Sequence, residues 1–192
     1  MASRIQLVVG LGNPGPEYER TRHNAGFWFV DAVAAQAGGV FRSESKFHGE
    51  ACRVHLDGHD LWLLKPMTYM NRSGQAIAAL ARFYKIPPES ILIAHDELDL
   101  PPGGLKVKQG GGHAGHNGLR DTIARLGSGD FLRLRIGIGR PAHSGQVVGY
   151  VLHAPSQADH RAIDEALDDA RDALPLLVEG EVQKAMNRLH SR

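Results

Sequence analysis

The stretch IQLVVGLGNPGPEYERTRHNAGFWFVDAVAAQA, residues 5–37, carries the strand–turn–helix unit on which the reading of the fold rests. Ile5–Val9 is a run of β-favouring residues, and the turn-forming stretch from Gly10 to Pro16 stops it. From about Asn24 to Ala37, Phe27, Val30, Val33 and Ala34 recur on one side of a helix, which Gly38-Gly39 ends. Phe27 and Trp28 read as helix core.

Similar units follow. Ala51–Leu56 and Asp60–Lys65 form a hairpin across Asp57-Gly58-His59, and Pro66–Arg72 is a loop. Ser73 caps a helix that runs to Tyr84 before Pro87-Pro88. Ile91–Ala94 reads as a buried strand ending at His95-Asp96, and Leu105–Lys108 as a short strand. Gly110-Gly111-Gly112 then introduces a helix from about Asn117 to Leu126. Along Phe131–Ile138, Arg133 and Arg135 alternate with Leu132, Leu134 and Ile136, the period of a strand. Ser156 opens a long acidic helix to about Ala173, which Pro175 ends or kinks, and a last helix covers Val182–Leu189. Strands alternating with helices predict one α/β domain over residues 1–192: three layers, α/β/α, around a twisted, mostly parallel mixed sheet. In such sheets ligands gather beyond the strand C-termini, where most of the unusual polar residues here fall.

Composition agrees with that scale. At 192 residues and 20.9 kDa, the folded chain should expose about 9,000 Å², the surface of one ordinary domain. No apolar run approaches the roughly 18 residues of a membrane span, and Met1 leads into no signal peptide. The one cysteine, Cys52, makes neither an internal disulfide nor a zinc quartet, so a cytoplasmic location is expected. The net charge of +1 hides an uneven distribution. Pro102–Gly145 holds seven Lys/Arg against two acids, whereas Gln146–His190 holds four bases against eight acids. The first segment has the charge of a polyanion-binding face.

Several motifs carry candidate chemistry. Gly10–Gly15 matches G-x-G-x-x-G after a strand, yet Pro14 and Pro16 remove backbone donors and delay the helix, which argues against a nicotinamide site. His23 sits where the first helix begins, and the helix dipole there favours the neutral imidazole of a base. Asp96, at a strand end, is the carboxylate type that fixes the tautomer of such a base. No nucleophile motif accompanies the pair, so a histidine-activated water is expected. His95, Asp96, Glu97, His113 and His116 are metal-ligand types without a recognisable metal spacing. Asn13, Asn71 and Asn117 each suit a cap or turn; gathered around one histidine they would grip an ester or peptide and help bear an oxyanion. Gly110–Gly118 allows close backbone approach to a ligand, and Lys106, Lys108, Arg133 and Arg135 suit phosphates. Tyr18 and Tyr69 are candidates for stacking on a base or ribose.

Taken in order, these segments resemble the bacterial-type peptidyl-tRNA hydrolases. The resemblance rests on Val9–Gly15, Tyr18, Thr21–Gly26, Lys65–Gly74, His95–Pro101, the glycine-rich stretch through Arg120, and Arg133–Gly139. It implies a monomeric, cytoplasmic esterase, needing no metal, cofactor or obligate protein partner, that frees the peptide from the 3′-terminal ribose of peptidyl-tRNA. By position it makes His23 the base and Asp96 the residue holding its basic form. Asn13 would distinguish blocked from free aminoacyl ends. Tyr18, Tyr69, Asn71 and Asn117 would contact the peptidyl and CCA end, and Lys106, Lys108 and Arg135 would clamp phosphates of the acceptor stem. Ala114 departs from a common glycine and Arg140 from a common histidine; the last helices match only loosely. The rival readings are an RNA-binding module without catalysis, a nicotinamide oxidoreductase and a metal-dependent hydrolase.

Overall fold

The computed structural model describes residues 3–192. Seven strands, β1 (Leu7–Gly10), β2 (Arg42–Glu44), β3 (Gly49–Leu56), β4 (His59–Pro66), β5 (Ile91–Glu97), β6 (Leu105–Gln109) and β7 (Leu132–Gly137), form one sheet in the order β2-β3-β4-β1-β5-β7-β6. The inner strands β4, β1, β5 and β7 run parallel, and β2–β3, β3–β4 and β6–β7 pair antiparallel. Six helices cover the sheet: α1 (Ala25–Ala37), α2 (Ser73–Phe83), α3 (Asn117–Leu126), α4 (Val147–Val151), α5 (Gln157–Val178) and α6 (Val182–His190). The layered α/β architecture is the one the sequence predicts, and the exposed surface is 9189 Å². Among the described residues no helix is long and apolar enough to cross a membrane.

Strand alternation sorts the core onto two faces. Val8, Leu63, Leu92, Ala94, Leu134 and Ile136 pack under α1, α5 and α6, while Leu7, Val9, Leu64, Ile91 and Ile93 pack under α2 and α3. The chain leaving β1 therefore returns over one face through α1, and the chain leaving β4 over the other through α2. Their divergence beside β1 opens a crevice at the strand C-termini, the usual ligand position in such sheets.

Two glycines let the layers close there. A Cβ on Gly10 would lie 2.2 Å from the Gly26 carbonyl oxygen, and one on Gly26 would lie 2.4 Å from the Ala94 oxygen. Only bare backbone permits this approach of α1 to β1 and β5. Gly10, and Gly12 against Phe27, thus serve strand–helix packing, where a dinucleotide loop would use its glycines against a pyrophosphate.

The structure differs from the sequence reading in a few elements. Helix α5 continues through Pro175 to Val178, because Leu174, Leu177 and Val178 are buried against the sheet and that burial outweighs the lost amide bond. Ser73 is the first residue of α2, and its hydroxyl donates back to the Met70 carbonyl at 2.8 Å. The first-turn amide of Gly74 is instead met by Asp121 of α3 at 2.8 Å. Strand β2 and helix α4, three and five residues long, have no signature in the sequence, because neither is long enough to show a period. Phe27 is buried as expected, while Trp28 is half-buried and donates its indole N–H to the Glu19 carbonyl.

Candidate active site

The last residues of β5 form the floor of the site. His95 and Asp96 follow four apolar strand positions and stay buried where the sheet ends. The 3₁₀ turn Arg22–Asn24 ahead of α1 delivers His23 across the Gly10–Gly26 contact, and its Nδ1 meets Asp96 Oδ2 at 2.8 Å. His116 meets the other carboxylate oxygen, Nε2 to Oδ1, also at 2.8 Å.

The proton on His116 can be placed. Its Nδ1 accepts the amides of Gly118 (3.1 Å) and Leu119 (3.3 Å) as the N-cap of α3, so Nε2 carries the hydrogen given to Asp96. The sequence reading weighed His116 only as a metal-ligand type. Its one sequence signal is its place directly before a helix start, where serine, threonine or aspartate is the usual cap.

Burial alone would raise the Asp96 pKa, but the His23 and His116 imidazoles outweigh it and hold the carboxyl well below the usual range. For His23, burial lowers the pKa, and the charge and hydrogen bond of Asp96 more than reverse this, leaving it above the ordinary histidine value. The carboxylate, and not the helix dipole invoked from sequence, governs the protonation of this imidazole. Burial and the adjacent His116 push His95 down to about 4, so that ring is neutral at physiological pH. His95 Nδ1 bonds the Asp96 carbonyl at 2.9 Å, and its Nε2 is buried without a partner.

Above this floor lies a cavity of about 590 Å³. Asn13, His23, Tyr69, Asn71, Asp96, Lys108, Asn117 and Arg135 all line it, so most of the residues chosen from sequence converge. Tyr18 and Lys106 are outside the lining. Tyr18 packs edge-on against Tyr69, ring centres 6.4 Å apart, and Lys106 stands opposite Arg135 on neighbouring strands. Met70, Val147, Val148, Val151 and Leu152 complete walls that the sequence reading did not choose, and His113, a metal-ligand type by sequence, lines the cavity with them.

Asn13 is tightly held. Its N–H donates to Asn24 Oδ1 at 2.8 Å, its carbonyl accepts Asn24 Nδ2 at 3.0 Å, and its side-chain oxygen accepts the Met70 amide at 2.7 Å. The side-chain NH₂ is left as the group available to a ligand.

On the α2/α3 face of β6 and β7, four cations meet in register: Lys106 opposite Arg135, and Lys108 opposite Arg133. Arg135 is paired with Glu97 at 2.8 Å. Arg133 is buried, its guanidinium bonded to the carbonyls of Gly111, Gly112 and Gly129. Among the described residues neither lysine has a carboxylate within salt-bridge distance.

Residues 7–192 match the family model described as peptidyl-tRNA hydrolase. The curated peptidyl-tRNA hydrolase of Methylococcus capsulatus is 60% identical over 97% of this chain and 99% of its own length. That of Halorhodospira halophila is 56% identical over 97% and 96%, and that of Neisseria gonorrhoeae 55% identical over the whole of both chains. The crystal structure of peptidyl-tRNA hydrolase from Acinetobacter baumannii superposes with a TM-score of 0.96 at 51% identity, covering 100% of this chain and 97% of that one. A match over nearly the whole length, in sequence and in fold, leaves one assignment: the chain belongs to the peptidyl-tRNA hydrolase family and is an enzyme of that family.

Proposed function

We propose that the chain cleaves the ester between the peptide and the 3′-terminal ribose of peptidyl-tRNA with a water activated by His23, oriented by Asp96, without a metal. The observation that carries this reading is the 2.8 Å bond between His23 Nδ1 and Asp96 Oδ2 at the cavity wall. With Nδ1–H given to the carboxylate, the neutral ring has its lone pair on Nε2. Nε2 takes a proton from water as the water oxygen adds to the ester carbonyl. Collapse of the tetrahedral intermediate expels the ribose oxygen, which recovers that proton from His23. The products are the peptide acid and free tRNA. Asn71 or a backbone amide would bear the oxyanion.

His23, Asp96 and His116 bring three ligand-type atoms within 4.8 Å of one another, so a metal is the competing reading. Proton accounting favours the reading without one. Both imidazoles already give N–H groups to Asp96, and His116 Nδ1 is occupied by two amides. An ion bound there would have to displace those protons.

Asn13, Tyr18, Tyr69, Asn71 and Asn117 would hold the peptidyl and CCA end, and Lys106, Lys108 and Arg135 the acceptor-stem phosphates. Support for the second group is electrostatic: among the described residues Lys106 and Lys108 have no carboxylate partner and stand opposite two arginines, of which Glu97 offsets only Arg135, so positive charge is in excess there and an anion would offset it. On this reading residues 1–192 act as one domain, as a monomer in the cytoplasm, with no obligate protein partner.

The test is peptide release from N-blocked aminoacyl-tRNA against the unblocked form, with and without a chelator. Cleavage of the blocked form alone, undiminished by the chelator, is expected, and Asn13→Ala should narrow the discrimination. Equal cleavage of both forms would remove the role given to Asn13; loss in the chelator would restore the metal.

A further inference from the structure

Strand β6 is an edge of the sheet, so its outward amides have no neighbouring strand to bond. The Val107 N–H nevertheless has a partner, His190 Nε2 at 2.9 Å, supplied by the last residue of α6. Val107 lies between Lys106 and Lys108, so the amide held from outside is at the centre of the segment that carries both lysines. A second tie holds the approach to the same strand. The Arg192 guanidinium bonds the Gly103 carbonyl just before β6, and its Nε bonds Asp169 of α5 at 2.7 Å.

We propose that His190 is a positioning residue for tRNA binding: by accepting the Val107 N–H it holds β6 in the register that sets Lys106 opposite Arg135 and Lys108 opposite Arg133. The inference rests on the phosphate reading of that face given above.

The physical need follows from the charges. Lys106 and Lys108 face Arg135 and Arg133 across β6 and β7; Glu97 offsets Arg135, but the positive charge left in excess pushes an edge strand outward when no phosphate is bound. A bond on the far side of β6 resists this displacement. A carboxylate could also accept the amide, but its charge would compete with phosphate for the lysines; a neutral imidazole does not. Nε2 accepts only in the neutral ring with its proton on Nδ1. Burial, then Lys106 and Arg135, push the His190 pKa below the ordinary value, which preserves that acceptor at neutral pH.

The experiment compares H190A and H190Q for kcat and KM on peptidyl-tRNA, affinity for deacylated tRNA, exchange of the Val107 amide by NMR, and thermal unfolding. For H190A, KM and the tRNA dissociation constant should rise about three- to tenfold, the scale of one net hydrogen bond, with kcat within about twofold. Val107 exchange should quicken. H190Q should recover most of the affinity, because its amide oxygen can accept the same N–H. Unaltered tRNA affinity in H190A, equal weakening in both variants, or a fall in kcat that tracks lost thermal stability would overturn the proposal. Lys108→Ala separates the two failures. If it weakens tRNA binding and H190A does not, only the role of His190 falls; if neither does, the phosphate reading falls with it.

Discussion

The Asp96 pocket and the β6–β7 face lie side by side and solve opposite electrostatic problems. Around Asp96 each carboxylate oxygen receives one imidazole N–H at 2.8 Å, and the carboxylate is almost removed from water. On β6 and β7, two lysines remain exposed and two arginines stand opposite them in register. The first arrangement fixes proton positions, which a step of acid–base chemistry requires. On the proposed reading the second gathers positive charge in excess that an arriving polyanion would offset, which would favour binding and leave the chemical step alone. Damage to the two regions should therefore appear in different kinetic constants.

The largest effect is expected at the base. His23→Ala should reduce kcat by about 10²–10⁴-fold with the fold intact, the usual range for general-base assistance. A correctly folded variant that turned over at nearly the normal rate would dissolve the distinction between the two regions.

Asp96→Asn comes next, with a loss in kcat of about 10–100-fold, the scale seen for the partners that orient metal-bound histidines and taken here by analogy. Its pH profile is the sharper measurement. Asp96 raises the His23 pKa, so activity should fall as pH drops through a value above the ordinary 6.5. Removing the carboxylate lowers that pKa and should move the acid limb of kcat/KM to lower pH. A limb that stayed in place would assign the titration to another group.

The smallest effects belong to the basic face. Lys108→Ala and Arg135→Ala should each raise KM for peptidyl-tRNA by about three- to tenfold, with a much smaller loss on an ester lacking tRNA. Each should also lower the slope of log affinity against log salt by roughly 0.7–0.9, one phosphate contact. Equal losses on both substrates would move these residues into the chemistry.

Most of the architecture was legible because short β-branched runs alternate with helical periods from Ile5 to the last helix. Elements escaped where too few residues carried a period, as in Arg42–Glu44 and Val147–Val151. A local signal also failed where tertiary burial overruled it, as at Pro175. The candidate site was legible as residue types at a strand end, in turns and at helix starts: Asp96, His23 and the three asparagines. His116 was not, because nothing in its neighbourhood tells a helix cap from a metal ligand until the carboxylate it faces is known. The same holds for Asn24, whose reciprocal bonds to Asn13 span eleven residues.

By itself, the sequence determined the layered α/β class, the basic segment and the inventory of polar groups, since periodicity, charge and glycine or proline placement act over a few neighbouring residues. Only the tertiary structure decided which groups share protons. His23, Asp96 and His116 meet across 73 and 20 residues of chain, and Val107 meets His190 across 83. Contacts at that separation depend on how helices cross strands, and here on two glycines narrow enough to let them close.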